Sequence, residues 1–139
     1  MDVAQQLRTH GLRVTRPRVA ALEVLSAGGH LTVDEVRVAV GQRLGAVSVQ
    51  AMYDVLGALS DARLVRRIEP AGSPTRYEAR AGDNHHHLVC RGCGRVVDVD
   101  CEVGDPPCMQ PAASDDTVGF TVDEAEVTFW GRCPDCRQT

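Results

Sequence analysis

Two Cys-x-x-Cys pairs constrain the end of this chain more strongly than any other feature. Cys90 and Cys93 form one pair, and Cys133 and Cys136 form the other. The two-residue gap lets both sulfurs of a pair point at one ion, and two pairs together complete a tetrahedral shell that suits Zn²⁺. Because such a shell leaves no open coordination position, the predicted zinc is structural and contributes to the folding of a small domain.

The alternative is that the two pairs are independent redox motifs. The first residues lack the basic start and the apolar stretch of an export signal, so we expect a cytoplasmic protein. In a reducing compartment, clustered cysteines indicate metal ligands or redox thiols before structural disulfides. No thioredoxin-like strand–helix–strand pattern surrounds the pairs, which favours zinc. Cys101 and Cys108 are left over, as free thiols, extra ligands or a reversible disulfide.

Length and charge limit the classes of function. The chain has 139 residues, enough for one compact domain or two small ones but not for a large enzyme core. No apolar run is long enough for a transmembrane helix, so we expect no membrane partner. Residues 1–80 carry a net charge of +3 and residues 81–139 a net charge of −7. The acidic whole argues against non-specific polyanion binding, whereas the basic first half leaves room for a specific nucleic-acid contact.

Capping residues mark the starts of three predicted helices in the first half. Thr15, followed by a proline in the first turn, opens the first helix. Thr32 and Glu35 form a capping box for the second, and Ser48 can cap the third. Two short strands are predicted next, over residues 64–69 and 75–79, joined by a loop rich in proline and glycine.

Helices followed by a hairpin predict a winged helix-turn-helix over residues 1–80. In that architecture the third predicted helix lies in the major groove, where Gln50 and Tyr53 lie off its apolar stripe and reach base edges. The predicted phosphate contacts are Arg16, Arg18, Arg66, Arg67 and Arg76. The alternatives are that these arginines form a solvated surface and that the unit binds protein instead of DNA.

The second half is predicted to be a small α/β domain over residues 85–139, after a linker at 81–84. Its β-like runs cover residues 88–89, 95–99, 118–122 and 126–130. Prolines at 106, 107 and 111 keep any helix between residues 101 and 117 short. The predicted fold class is therefore α+β, with a four-cysteine zinc site in the second domain.

Three consecutive histidines directly precede the first cysteine pair. On a strand, His85 and His87 share one face and His86 takes the other. Two imidazoles and a nearby carboxylate make a nitrogen and oxygen site for Fe²⁺, Mn²⁺, Ni²⁺ or Zn²⁺. The further candidate ligands are Glu78, Asp98 and His30. The alternatives are a surface tract of histidines and, for the isolated histidine, an ordinary loop residue.

Six motifs follow one another in a specific order along nearly the whole chain. They are Gly11–Arg18, Tyr53–Leu56, Arg63–Arg67, Arg76–Glu78, His85–Gly94 and Trp130–Cys136. In order and spacing the chain resembles the ferric uptake regulator (Fur) family of metal-dependent bacterial repressors. Residues 83–105 and 123–127 most resemble the actinobacterial branch encoded beside catalase or catalase-peroxidase genes, which represses the peroxidase and is relieved by oxidation.

The resemblance implies a homodimer that binds two half-sites of a palindromic double-stranded DNA operator. It also implies an N-terminal winged helix, a C-terminal dimerisation domain, no organic cofactor and no catalytic residue. The ligands it implies for the regulatory metal are His30, Glu78, His85, His87 and Asp98. Because these ligands come from both domains, the ion would favour one hinge angle and so set the spacing of the two recognition helices.

Three positions depart from the family pattern. Glu78 stands where the peroxide-sensing repressors of the family have aspartate, which weakens metal-catalysed histidine oxidation as the mechanism. The third metal site of iron-uptake members falls on Asn84, His86 and Ala125, so we expect it to be absent or altered. Asp54 stands where arginine is common, and because its carboxylate repels phosphate, the operator should differ from the usual iron box.

The leading prediction is a metal-dependent, peroxide-responsive transcriptional repressor of catalase or peroxidase genes, and not an enzyme. Two signals stay open, namely oxidation of His30, His85 or His87 at the metal, and thiol oxidation with loss of zinc. The second prediction within the family is a regulator of iron, nickel or zinc uptake. The alternative from a different class is a thiol-disulfide oxidoreductase that uses the Cys-x-x-Cys pairs.

Overall fold

The computed structural model describes residues 2–79 and 83–137 and divides the chain into two compact units, Met1–Gly82 and Asp83–Thr139. Residues 81 and 82 of the predicted linker lie outside the described residues. Asp83 and Asn84, the rest of that linker, belong to no helix or strand.

Four helices build the first unit. They are α1 (Val3–Thr9), α2 (Arg16–Ser26), α3 (Val33–Leu44) and α4 (Val49–Asp61). The three predicted helix starts are confirmed, because the side chains of Thr15, Thr32 and Ser48 each accept a backbone N–H three residues on. The first helix, α1, which Asp2 caps, is not among the helices that the sequence pattern predicts. No helix in the described parts of the chain is long and apolar enough to cross a membrane.

The hydrophobic core of this unit comes from one face of each helix. Fully buried side chains at its centre are Leu7, Leu22, Leu25, Val36, Val40, Met52, Leu56 and Leu59. With so few aromatic residues in the chain, aliphatic side chains fill this core, and the spacing of three or four residues on α4 buries a single stripe. The opposite face of α4 is left exposed.

A three-stranded sheet completes the first unit. Its strands are β1 (Leu31–Thr32), β2 (Arg66–Ile68) and β3 (Arg76–Glu78), in the order β1-β3-β2 with antiparallel pairing throughout. The two predicted wing strands are confirmed, although both are shorter than the sequence pattern indicated. Strand β1 was not predicted, since its two residues are too few to show a period.

A second three-stranded sheet lies in the second unit. Strand β4 (His85–Cys90) lies at its centre, antiparallel to β5 (Val96–Asp100) and parallel to β6 (Thr128–Gly131). A single helical turn, α5 (Pro134–Arg137), follows β6. All three histidines belong to β4, which starts earlier than the predicted run at residues 88–89.

The strand predicted over residues 118–122 is wrong. Residues 115–119 form turns instead, closed by hydrogen bonds from the amide of Thr117 to the carbonyl of Ser114 and from Phe120 to Thr117. Gly119 has φ +86°, a left-handed conformation that a strand does not allow. The side chains of Val118 and Phe120 are exposed, so the apolar letters of this run do not mark a buried element.

Two valines on α3 test the packing of the first unit. Val36 is fully buried, whereas Val38 on the same helix is 57% exposed. Val36→Ala removes two buried methyl groups and leaves a cavity, so we expect it to lower the free energy of unfolding by about 2 kcal/mol. Val38→Ala carries the same change in helix propensity and should shift it by less than about 0.5 kcal/mol. Urea denaturation of both variants checks this, and equal losses would contradict the assigned core.

Candidate metal centres and nucleic-acid interface

The four cysteines of the two Cys-x-x-Cys pairs come together in the second unit. One sulfur from each of Cys90, Cys93, Cys133 and Cys136 lies within 4.8 Å of the other three. Cys93 Sγ and Cys133 Sγ are 3.8 Å apart. A tetrahedral ion with metal–sulfur bonds of about 2.3 Å holds its sulfurs about 3.8 Å apart, so this geometry fits zinc. A disulfide would need a separation of about 2.05 Å.

The parallel pairing of β4 with β6 brings the two cysteine pairs together. Cys90 ends β4 opposite Gly131, and the amide of Arg91 donates to the Gly131 carbonyl at 2.7 Å. Beyond β6 the chain turns into α5, which carries Cys136 back to the first pair. The predicted cysteine cluster thus depends on a strand pairing between segments about forty residues apart.

The ease with which Cys90 loses its proton favours binding of a cation in the cluster. The backbone amide of Cys133 donates to Cys90 Sγ at 3.2 Å and, with the Cys93 amide, lowers the pKa of the Cys90 thiol to about 6. The neighbouring thiols of Cys133 and Cys90 raise the pKa of Cys136 to about 12. One sulfur is therefore readily a thiolate while another keeps its proton, and a divalent ion among them would displace the remaining protons.

A hard nitrogen and oxygen cluster occupies one face of β4. Cross-strand register sets His87 opposite Asp98, and the two-residue period of the strand puts His85 on the same face. Asp98 Oδ1 lies 3.3 Å from His85 Nε2 and 3.4 Å from His87 Nε2. The two rings meet edge to face, with centroids 4.9 Å apart, and both imidazoles are buried. Three predicted ligands therefore converge in the second unit.

His85 also has an orienting partner that sequence analysis missed. Its Nδ1 lies 2.7 Å from Asp83 Oδ1, so the ring donates that proton to the carboxylate and leaves Nε2 available as a ligand. Asp83 was interpreted only as part of a linker. The two-residue spacing of Asp83 and His85 indicates this contact, because residues two apart at a strand end lie on the same side.

The other two predicted ligands meet in the first unit. Strands β1 and β3 pair Leu31 with Tyr77 and Thr32 with Arg76, so the same register continued by one residue sets His30 beside Glu78. His30 Nε2 and Glu78 Oε2 are 2.8 Å apart, and the carboxylate is 2% exposed. Arg76 Nη1 donates to the His30 carbonyl at 3.1 Å and holds this segment in place.

Cys101 and Cys108 also lie close together in the structure. Together with His86 they place one donor atom each within 4.8 Å of the others. The Gly104 backbone amide lowers the pKa of the Cys101 thiol, whereas burial raises the pKa of Cys108. None of the six cysteines, all of which lie in the described ranges, forms a disulfide.

The exposed face of α4 carries the residues predicted to read DNA bases. Gln50, Tyr53 and Asp54 are all exposed, outside the buried stripe of the helix. Gln50 Nε2 donates to Asp54 Oδ1 at 3.0 Å, one turn along. The Gln50 oxygen and second amide hydrogen remain for a base edge, held in a fixed direction by this bond.

The predicted phosphate contacts differ in what already holds them. Arg67 Nη2 pairs with Glu69 at 2.6 Å on the exposed wing, and Arg18 Nη1 donates to the Arg13 carbonyl at 3.0 Å. Arg76 Nη1 donates to the His30 carbonyl and, at 3.5 Å, to Glu35 Oε1, and its side chain is 20% exposed. Of the remaining two, Arg16 is exposed and Arg66 is half-buried.

Comparison with known proteins identifies the family. A sequence model of the Ferric uptake regulator family matches residues 9–117. The chain belongs to the ferric uptake regulator family. Transcriptional regulator FurA of Mycobacterium tuberculosis is 58% identical, over 97% of this chain and 90% of its own length. Ferric uptake regulation protein 1 of Mycolicibacterium fortuitum is 53% identical, over 94% of this chain and 79% of its own length.

Solved structures agree on the fold. The structure of the Helicobacter pylori ferric uptake regulator Fur matches with a TM-score of 0.71 at 19% identity, over 97% of this chain and 89% of that one. Membership makes this Fur-family chain a metal-responsive transcriptional regulator, so the predicted absence of enzymatic activity is confirmed and the thiol-disulfide oxidoreductase alternative is wrong.

Gly92 offers a test of the cysteine cluster. A Cβ at this position would lie 2.8 Å from Cys136 Sγ and 2.9 Å from Cys136 Cβ, whereas one at Gly131 would meet nothing within 4 Å. A metal site tolerates changes of about 0.2 Å in its bond lengths, less than this overlap requires. We expect Gly92→Ala to weaken zinc retention roughly ten- to a hundredfold, as other changes beside ligands do.

The matched control is Gly131→Ala, which adds the same methyl group nearby in open space. Competition with a chromophoric chelator measures zinc retention in both variants. Equal zinc affinity in the two variants would contradict the close packing of residue 92 against Cys136 at the cysteine cluster.

Proposed function

We propose that this Fur-family chain is a homodimeric repressor that binds a palindromic operator when a regulatory metal is bound. The observation that carries the proposal is a pair of complementary donor sets, one in each unit. The first unit contributes His30 and Glu78, already 2.8 Å apart, and the second contributes His85, His87 and Asp98. Each set alone has too few donors for a six-coordinate ion, and together they offer five.

The donors fit a divalent transition metal. Three imidazoles and two carboxylates suit Fe²⁺, Mn²⁺ or Ni²⁺, whereas the cluster of four sulfurs suits structural Zn²⁺. Asp83 holds the tautomer of His85 that presents Nε2, and Arg76 anchors the backbone of His30. These supporting contacts reduce the reorganisation that an ion would have to impose.

An ion bound to both units would select one relative arrangement of them. Its effect is limited to its differential affinity for that arrangement, so loss of even one donor should weaken the coupling to DNA. The α4 helix would then present Gln50 and Tyr53 to base edges, with Arg16, Arg18, Arg66 and Arg67 toward phosphate. A repressor of this kind acts on chromosomal DNA, so we propose a cytoplasmic location.

Dimerisation is proposed through the second unit. Leu88 on β4 is in register with Val97 on β5 and with Phe129 on β6, so the three side chains form one row across a face of the sheet. All three are between 38% and 49% exposed. An apolar row of this kind stays exposed at a cost in free energy, and a second copy of the same face would cover it.

Peroxide is the signal we propose, with catalase or peroxidase genes as the targets. Ferrous iron held by these ligands would supply electrons to peroxide. The imidazoles of His85 and His87 lie against one another and are at least 95% buried, so an oxidant formed there meets them before it meets bulk water. Transfer of one peroxide oxygen atom to a ligand imidazole, with the other oxygen leaving as water, would weaken that donor and release the DNA-binding arrangement.

A regulator of metal supply is the second candidate. Glu78 favours it, because the peroxide-sensing pattern implied by the resemblance has aspartate at this position. The Mycolicibacterium fortuitum relative, named as a ferric uptake regulation protein, points the same way. In this case metal concentration alone would set operator occupancy, and the imidazoles would stay chemically unchanged.

Sequencing the genomic DNA captured by the purified protein tests the function. We expect enrichment of a palindromic sequence with Fe²⁺, Mn²⁺ or Ni²⁺ and little enrichment without added metal. His30→Ala removes one proposed ligand and should weaken metal-dependent operator binding at least about tenfold. Its control is His10→Ala, an exposed histidine of the same unit whose Nδ1 contacts only the neighbouring Gln6 carbonyl among the bonds described.

Unchanged urea denaturation of both variants would show that the first unit, which carries both histidines, stays folded. Equal loss of operator binding in the two variants, or strong palindrome enrichment without any metal, would contradict a regulatory ion at His30.

Peptide mass spectrometry separates the two candidate signals. After iron loading and peroxide treatment, we expect the peptide of His30, or that of His85 and His87, to gain one oxygen atom while all six cysteines stay reduced. A disulfide among the cysteines with unmodified histidines would support thiol oxidation instead. An operator complex that survives peroxide with no modified residue would exclude peroxide and leave the metal-supply function.

A further inference from the structure

The second face of β4 carries a cluster that the proposed regulator does not use. His86 points away from the face of His85 and His87, and its imidazole is 4% exposed. Its Nε2 lies 3.1 Å from Cys108 Sγ. Donor atoms of His86, Cys101 and Cys108 lie within 4.8 Å of one another. Two sulfurs and a buried imidazole therefore converge on one point.

The chain builds this convergence from local structure. Cys101 directly follows β5, whose last residue, Asp100, pairs with His85. Cys101 therefore lies beside the start of the histidine strand β4. Gly104, at φ +86°, lets the chain turn back, and its backbone amide donates toward the Cys101 sulfur. Such outer hydrogen bonds orient thiolates for coordination.

We propose that His86, Cys101 and Cys108 bind a thiophilic d¹⁰ cation, Zn²⁺ or Cu⁺, at a third site. Thiolate and imidazole donors select these ions over Mg²⁺, Ca²⁺ or Mn²⁺, which prefer oxygen. Cu⁺ would be satisfied by three ligands, whereas Zn²⁺ would take water as a fourth. Of the family positions named for a third metal, this cluster uses only His86, and its other two donors are cysteines from the loop after β5.

Independence from the other two sites follows from the donors. The cluster of four sulfurs uses none of these three residues. The donors His85 and His87 lie on the face of β4 opposite to His86. The inference does not depend on the proposed DNA-binding function, since it concerns only binding of an ion within the second unit. Its failure would leave the regulatory metal untouched.

Metal counting on the reduced, full-length protein under anaerobic conditions tests the site. Separate titrations with Zn²⁺ and Cu⁺ against graded chelators should each be compared between the wild type and Cys101→Ser/Cys108→Ser. We expect the double variant to lose one equivalent of one of these ions while keeping the zinc of the other four cysteines. His86→Gln should weaken retention of the same equivalent at least about tenfold.

The matched control is Val103→Ala, an exposed residue of the same loop with no donor atom. It should keep the full count, and loss of the equivalent in this variant would overturn the assignment to the three donors. The titration in which the wild type retains an additional equivalent identifies the cation that the site binds. If the wild type retains no additional equivalent of either Zn²⁺ or Cu⁺, the proposed site is overturned.

Alkylation of the wild-type protein gives a readout that needs no variant. Bound ion should protect Cys101 and Cys108 from iodoacetamide, as mapped by peptide mass spectrometry, and its removal should expose both together. Equal alkylation with and without ion would overturn the proposal. So would a Cys101–Cys108 disulfide in protein purified anaerobically, because the sulfurs would then be unavailable as ligands.

Discussion

The pleat of β4 separates the candidate metal ligands of the second unit by chemical type. Its side chains alternate between two faces, so consecutive histidines cannot share one site. His85 and His87 meet Asp98 on one face, whereas His86 meets two cysteines on the other. At the end of the same strand, Cys90 enters the cluster of four sulfurs. One short strand thus contributes to three chemically different candidate sites, two on opposite faces because its side chains alternate and one at its end.

Strand register also determines which candidate ligands meet in the first unit. The two residues of β1 contribute little to stability on their own, but their pairing with β3 fixes His30 beside Glu78. Arg76, interpreted from sequence as a phosphate contact, holds the His30 backbone and reaches Glu35. Its charge therefore stabilises the presentation of a candidate ligand. The same hairpin that resembles a DNA-contacting wing also builds one half of the proposed regulatory site.

Local patterns predicted the helical unit well. Capping residues such as Thr15 and Ser48 act within one turn, so their effect is readable from a few neighbouring letters. The same reading failed at residues 118–122, where Gly119 takes a left-handed turn and the valine and phenylalanine beside it stay exposed. Apolar composition alone could not show that nothing packs against that segment. Nor could it show that Asp83 supports His85 or that His86 faces Cys108.

The sequence by itself determined the kinds of donor available and, through the order and spacing of its motifs, the family. The two-residue gap of Cys-x-x-Cys and the two-residue period of a strand show from local geometry which neighbouring donors can share an ion or a face. Only the tertiary structure decided which donors meet. The pairing of β4 with β6 joins the two cysteine pairs, and that of β1 with β3 joins His30 to Glu78. The loop after β5 brings Cys101 and Cys108 to His86. Such contacts depend on hydrogen bonding and burial between segments far apart in the chain, which local spacing does not encode.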